Sequence, residues 1–133
     1  HTRLRTVTGV QTCALPIFVK FDWTSYAPVV VRAMVMAGRS VMISGPPDLV
    51  DEEYAFERLT KKDPAIQNEL AEQDAALNGE RGGVMQFVNT DTGETSKEFK
   101  LDRPPVWDGM AIAHGRIYVS TTDGKVQCYG VAK

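Results

Sequence analysis

The chain has 133 residues, with 15 basic and 17 acidic side chains and a formal net charge of −2. A charge this close to zero lacks the basic excess that nucleic-acid-binding domains carry. No apolar run approaches the roughly 20 residues of a membrane-spanning helix. We therefore expect a globular domain that neither binds nucleic acid nor spans a membrane.

The first 17 residues resemble a translated sequencing adapter. Residues 7–17, Val-Thr-Gly-Val-Gln-Thr-Cys-Ala-Leu-Pro-Ile, match the forward translation of the standard adapter of short-read libraries, and residues 1–3 resemble its flow-cell end. We expect residues 1–17 to be non-native and exclude them from the fold. Cys13 is among them, so Cys128 remains alone and no disulfide within the chain is predicted.

Two β elements are predicted next. Residues 18–23 form a strand-like segment, and residues 33–44 predict a hairpin that turns through Gly38. Glycine supplies the positive φ that a tight hairpin needs.

The character of the chain then changes to helical and acidic. Asp63 and Pro64 are a helix N-cap and a first helical residue, and an Asn-Gly pair ends that helix. A shorter helix is predicted over residues 49–59. Residues 48–81 carry ten acidic and four basic side chains, a net charge of −6. We expect a helical acidic insertion at about 49–81.

The strand pattern resumes after the insertion, with predicted strands at 84–88 and 95–101. The pattern of the first hairpin returns at 109–120 and is followed by a further strand at 126–130. The glycines that precede the third strand of each copy are 42 residues apart, which is the length of one β-propeller blade. A repeated antiparallel meander of this size is typical of a β-propeller.

We therefore predict an all-β fold with a small helical insertion, forming a partial β-propeller of about two four-stranded antiparallel blades over residues 18–133. Residues 18–23 would be the last strand of a preceding blade. Complete propellers need at least about four blades. We expect the chain to be the C-terminal part of a larger protein.

The topology of the meander predicts which loops lie together. Alternate connections of an up-and-down meander lie on opposite ends of the strands, so the insertion shares one end with the loops at 103–108 and 121–123. Binding residues are common on loops that a rigid scaffold displays. The candidate ligand or partner residues on this end are Trp107, Asp108, Thr121 and Asp123.

Two segments carry a family resemblance. Residues 115–129, Gly-Arg-Ile-Tyr-Val-Ser-Thr-Thr-Asp-Gly-Lys-Val-Gln-Cys-Tyr, and residues 88–94, Val-Asn-Thr-Asp-Thr-Gly-Glu, resemble the pyrroloquinoline-quinone (PQQ)-like propeller repeat. The resemblance implies a β-propeller and an extracytoplasmic location, periplasmic or secreted, in an environmental bacterium. It also implies a tryptophan four residues after the turn glycine that docks neighbouring blades. Lys97 occupies that position here, and Phe99, two residues later, aligns with Trp23.

The resemblance leaves two functions open. The first is a non-catalytic scaffold or binding module, with a protein or a small molecule on one propeller face and neighbouring blades as its other contacts. The alternative is the C-terminal part of a quinoprotein alcohol or sugar dehydrogenase, with its PQQ site in blades that this sequence does not contain. The vicinal cysteines that hold the cofactor in the family match no position, and we expect no cofactor in this segment.

Several residues suggest chemistry but have simpler interpretations. Asp91 opens an Asp-Thr-Gly triplet like that of aspartic proteases, but such a protease needs two facing aspartates, so a turn is favoured. His114 is expected in an exposed turn, and Cys128 as a small buried apolar residue. Met34 and Met36 share a strand face and are expected to fill the core rather than to bind copper. We predict no catalytic and no metal-binding residues.

Overall fold

The computed structural model describes residues 19–130, and the adapter-like segment 1–17 lies outside that range. Within it, two helices interrupt a series of seven strands. In chain order the elements are β1 (Ala33–Ala37), β2 (Ser40–Gly45), α1 (Glu52–Thr60), α2 (Pro64–Leu77), β3 (Gly83–Asn89), β4 (Thr95–Leu101), β5 (Pro105–Ala113), β6 (Arg116–Thr121) and β7 (Val126–Tyr129).

The strands form two antiparallel sheets. Sheet 1 has the order β1-β2-β3-β4, and sheet 2 has the order β5-β6-β7. The predicted mostly β fold with a small helical part is confirmed. In the described range, however, sheet 2 has three strands rather than four. The strand predicted at 18–23 is not formed over its described part, residues 19–23, where no described strand lies beside it to supply backbone partners.

Each helix begins directly after an aspartate that caps its N-terminus. The Asp63 carboxylate accepts a hydrogen bond from the Ala65 amide at 2.9 Å, and α2 runs from Pro64 to Leu77 as predicted. Helix α1 begins at Glu52, three residues later than expected, because the carboxylate of Asp51 accepts hydrogen bonds from two amides of its first turn. Side-chain capping thus sets both starts.

The main core lies between the two sheets, which approach each other along β1 and β5. Its buried members are Ala33, Met42, Met85, Leu101, Met110, Ile117 and Val119. The insertion has a separate cluster, Val50, Ala55 and Ile66, against which Leu70 packs. The insertion therefore contributes its own small core beside the one that joins the sheets.

The two sheets stack in the same orientation. In the repeat, Met34 corresponds to Met110, and the strand pairs Met34–Ile43 and Met110–Val119 are equivalent. We define the front face of each sheet as the face that carries these residues, and the rear face as the opposite one. The front face of sheet 2 is buried against the rear face of sheet 1, where Met42 and Met85 lie.

This stacking explains why the prediction for the methionines of β1 is wrong. Met34 is 61% exposed and Met36 is 65% exposed, whereas Met110 is 9% exposed. Period-2 alternation correctly places Met34 and Met36 on one face. That face is the front of sheet 1, which points away from sheet 2; it is exposed along the edge strand β1, although Ile43 and Val88 on its inner strands are buried.

Candidate functional site

Three connections meet at one end of the sheets. The Thr122 amide, between β6 and β7, donates a hydrogen bond to the Pro104 carbonyl, between β4 and β5, at 3.1 Å. The Arg103 guanidinium donates to the carbonyl of Gly79, at the end of the insertion, at 3.3 Å. We call this region the insertion end.

Trp107 and Asp108 lie within β5, in a β-bulge, and not in the preceding loop. The pairing of β5 with β6 shifts between Pro105 and Met110, and Asp108 adopts a positive φ of 55°. A bulge redirects the side chains that it contains. Here the indole of Trp107 is 70% exposed, so it is available to a partner.

Arg32 ties this bulge to the insertion. Its guanidinium lies over the Trp107 ring, 5.7 Å from the centroid, and donates a hydrogen bond to the carbonyl of Leu77 at 2.7 Å. The Asp108 amide in turn donates to the Arg32 carbonyl at 2.9 Å. A cation at the C-terminus of α2 is also favoured by the helix dipole, so Arg32 fixes the position of the exposed indole.

Sequence reasoning missed Arg32. One signal in the sequence points to Arg32. Arg32 and Asp108 are 76 residues apart, the same offset that relates the two hairpins, so they occupy equivalent positions just before the repeated segments. Its contact with Leu77 depends on where the insertion folds back, which no local pattern reports.

Thr121 and Asp123 stabilise the turn between β6 and β7. The buried Thr121 hydroxyl donates a hydrogen bond to the Asp123 carboxylate at 2.6 Å, and this bond is the main reason that the pKa of Asp123 is lowered. Lys125 lies 3.5 Å from the same carboxylate. These contacts give the pair a structural role in the turn.

The four predicted site residues therefore form two pairs. Trp107 and Asp108 contact Arg32, while Thr121 and Asp123 contact each other. Strand pairing brings Pro105 opposite Thr121, but no hydrogen bond or ion pair within residues 19–130 joins the two pairs. The indole of Trp107 is a large aromatic surface that this end presents to solvent.

The other candidate residues occupy turns and surfaces. Asp91 lies in an exposed turn, where its amide and that of Thr92 donate to the Asn89 side chain at 2.8 and 3.2 Å. His114 is exposed and has a φ of 52°. The prediction for Cys128 is wrong: its side chain is exposed, because it lies on the rear face of sheet 2, which no described strand covers.

A cavity of about 580 Å³ lies between the rear face of sheet 1 and the front face of sheet 2. Its walls include Phe87, Phe99 and Tyr129, and Lys97 is the one charged side chain that the described part of the chain contributes to them. Burial of the Tyr129 hydroxyl raises its pKa. PQQ is a tricarboxylate and would need several cationic or hydrogen-bonding partners, so the lining does not fit this cofactor.

The described residues show no other assembled site. No group of three or more His, Cys, Asp or Glu side chains within residues 19–130 is placed to hold a metal ion. No helix in this range is both long enough and apolar enough to cross a membrane. Comparisons with protein-family models, curated proteins and solved structures give no match for the chain.

Proposed function

We propose that the chain is a non-catalytic β-propeller module of a bacterial extracytoplasmic protein, with the insertion end as its partner-binding face. The observation that carries this proposal is the stacking of two repeat-related sheets, front face on rear face. This contact joins two different faces of repeat-related sheets. If each further sheet packs on the previous one in the same way, with a constant rotation, the series of sheets closes into a ring. A ring of radially repeated sheets is the architecture of a propeller.

A second contact supports the same architecture. The family resemblance implies a tryptophan that docks one blade on the next. Trp23 donates a hydrogen bond from Nε1 to the Thr90 carbonyl at 2.8 Å, in the turn between β3 and β4. Trp23 aligns with Phe99, so the docking function would belong to this position rather than to Lys97.

The chemistry of the insertion end favours a protein partner over a small molecule. Trp107 offers a large exposed aromatic surface whose position Arg32 holds, and tryptophan is enriched among the residues that dominate protein interfaces. The adjacent insertion adds a net charge of −6, which favours a partner with a basic rim. We propose that the indole is the anchor and the acidic helices are the rim.

Partner capture with a matched control tests this proposal. The Trp107→Ala variant should lose a partner that wild-type protein retains from the source organism, whereas His114→Ala, on the opposite end of the strands, should retain it. Both side chains are exposed, and alanine at the positive φ of His114 should cost only about 1 kcal/mol, so both variants should stay folded. Equal retention by the two variants would overturn the assignment of the binding face.

The rival function is tested separately. If the full-length gene product were a quinoprotein dehydrogenase, reconstitution with PQQ and Ca²⁺ should give dye-linked oxidation of alcohols or sugars. The scaffold proposal expects no activity above that of the free cofactor. Oxidation that depends on the protein would overturn the non-catalytic proposal.

A further inference from the structure

The cavity between the sheets lies toward the hairpin turns. Its lining includes Ala37 and Ser40 of the first hairpin and Gly115 of the second, which puts it at the opposite end of the strands from the insertion end. None of the lining residues within the described part of the chain belongs to the site around Trp107. Its volume of about 580 Å³ lies within the range of about 300–1,000 Å³ that small-molecule sites occupy. The cavity can therefore accept a small ligand.

The floor of the cavity is apolar. Met42, Met85 and Ile117 line it, and all three are buried members of the core between the sheets. Phe87 also lines it, and its ring packs edge-on against that of Phe99, with 5.5 Å between the ring centroids. Methionine side chains adapt to irregular apolar shapes, and aromatic rings add a large apolar contact area. The floor therefore favours a ligand with an apolar body.

The rim of the cavity is open to solvent and carries a cation. Phe99 and Tyr129 are 46% and 37% exposed, and Lys97 lines the cavity although it is exposed. A lysine can bury its aliphatic stem along an apolar wall while its ammonium group stays at the surface. Lys97 therefore places a positive charge at the rim, beside the apolar floor.

The ammonium group of Lys97 is the rim group best placed to hold a ligand charge. It forms no ion pair with a carboxylate among residues 19–130. The Tyr129 hydroxyl, by contrast, already donates a hydrogen bond to the Gln127 side chain at 3.0 Å. A charge-assisted hydrogen bond from an ammonium group favours an anion over a neutral ligand. One cation beside an apolar cavity complements a ligand with a single negative charge, because further charges would lose water without gaining partners.

We propose that this cavity binds a small apolar carboxylate, such as a medium-chain fatty acid. The hydrocarbon body lies on the floor formed by Met42, Met85 and Ile117, and the carboxylate accepts a hydrogen bond from the Lys97 ammonium group. Burial of the hydrocarbon supplies most of the affinity, and Lys97 selects the anion over a neutral ligand of the same length. The site is independent of the partner-binding face proposed at the insertion end.

Titration with decanoate tests the proposal, and decanol is the neutral ligand of the same length. Isothermal titration calorimetry should show saturable binding of one decanoate per chain. Lys97→Met should weaken the binding of decanoate about fivefold and leave that of decanol unchanged. Lys100→Met is the matched control, because Lys100 lies on the same strand but on its opposite face. It should bind both ligands as wild type does.

A variant that fills the cavity tests where the ligand binds. Ile112 lines the cavity, so Ile112→Trp should weaken the binding of both decanoate and decanol by about tenfold, because the indole takes the space of the hydrocarbon. Ala111→Trp is the control, since Ala111 is exposed on the opposite face of β5, and it should bind both ligands normally. If Ile112→Trp folds poorly, the comparison of Lys97→Met with Lys100→Met still decides the matter.

Three results would overturn the proposal. The first is a wild-type chain that does not bind decanoate, and the second is an equal loss of decanoate binding in Lys97→Met and Lys100→Met. The third is a full-length gene product that does not bind decanoate, which would mean that another segment of the protein fills the cavity. None of these results bears on partner capture through Trp107 or on quinone-dependent oxidation, so failure of the ligand site is distinguishable from failure of the proposed function.

Discussion

The indole ring of Trp23 lies directly on Gly93. A Cβ placed on Gly93 would come within 3.0 Å of three indole carbons, and the glycine has a φ of 78°. Both the close approach and the left-handed backbone therefore require glycine at this turn. The contact joins the segment before β1 to the turn between β3 and β4.

We expect Gly93→Ala to lower the free energy of unfolding by about 2–4 kcal/mol, because it combines backbone strain with overpacking against the ring. Gly124→Ala is the matched control. Gly124 has a similar φ of 81° but no atom within 4 Å of its would-be Cβ, so only the strain of about 1 kcal/mol remains. Urea unfolding at one fixed protein concentration measures both, and equal losses would contradict the importance of the Trp23 contact.

A substitution at His114 should stabilise the turn between β5 and β6. His114 and Gly115 have φ values of 52° and 73°, and asparagine before glycine is the preferred sequence where both turn residues have positive φ. His114→Asn should therefore raise the free energy of unfolding by about 0.5 kcal/mol. Arg39→Asn in the first hairpin is the control, because Arg39 does not have a positive φ. A similar gain in both variants would show that turn geometry is not the cause.

Local signals account for the parts of the fold that could be predicted from sequence. Asp63 and Pro64 set the start of α2, and the Asn78-Gly79 pair sets its end. These signals lie in or next to the helix, so they can be recognised without knowledge of the rest of the fold. Hairpin glycines and period-2 alternation likewise predict β1, β2, β6 and the second half of β5, whereas the first half of β5, from Pro105, is predicted as a loop. The side on which a neighbouring sheet lies is a long-range property, so the sequence alone predicts Met34 and Cys128 in the core although both are exposed.

For the same reason, the candidate site can be predicted from the sequence only in part. Meander topology predicts that the connection before β5, near Trp107, and the connection after β6, next to Thr121, lie at one end of the strands, and the contact between Thr122 and Pro104 joins those connections. The bulge that exposes Trp107 and the guanidinium of Arg32 that holds it depend on contacts across the chain. No window of adjacent residues contains that information.

The insertion should be dispensable for the stability of the sheets. Its cluster around Ile66 is separate from the core between the sheets, and Gly45 pairs with Val84 across its two ends, so a short loop can close the gap. Replacing residues 49–81 with such a loop should change the free energy of unfolding by less than about 1 kcal/mol. The comparison is Met85→Ala, a core truncation that should cost about 2–5 kcal/mol. A loss of that size on loop replacement would mean that the insertion helices belong to the main core.

The N-cap of α2 should make the stability of the insertion depend on pH. The Arg58 guanidinium lies 2.7 Å from the Asp63 carboxylate, and this hydrogen bond, with that from the Ala65 amide, lowers the pKa of Asp63. The ionised carboxylate is therefore favoured in the folded state. Its contribution is complete above the unfolded pKa of about 4 and is lost as the pH falls through the lower folded value.

Asp63→Asn isolates this contribution, because asparagine still caps the helix but cannot pair with Arg58 as an anion. We expect the variant to melt at a lower temperature than wild type at pH 7, and we expect this difference to shrink progressively as the pH falls below about 4. Far-UV circular dichroism at the helical signal follows the melting. In an Arg58→Met background, most of this pH-dependent difference should disappear, since the first cause of the lowered pKa is gone. A difference between wild type and the Asp63→Asn variant that stays constant from pH 7 to pH 3 would mean that capping, and not the ion pair, sets the stability of α2.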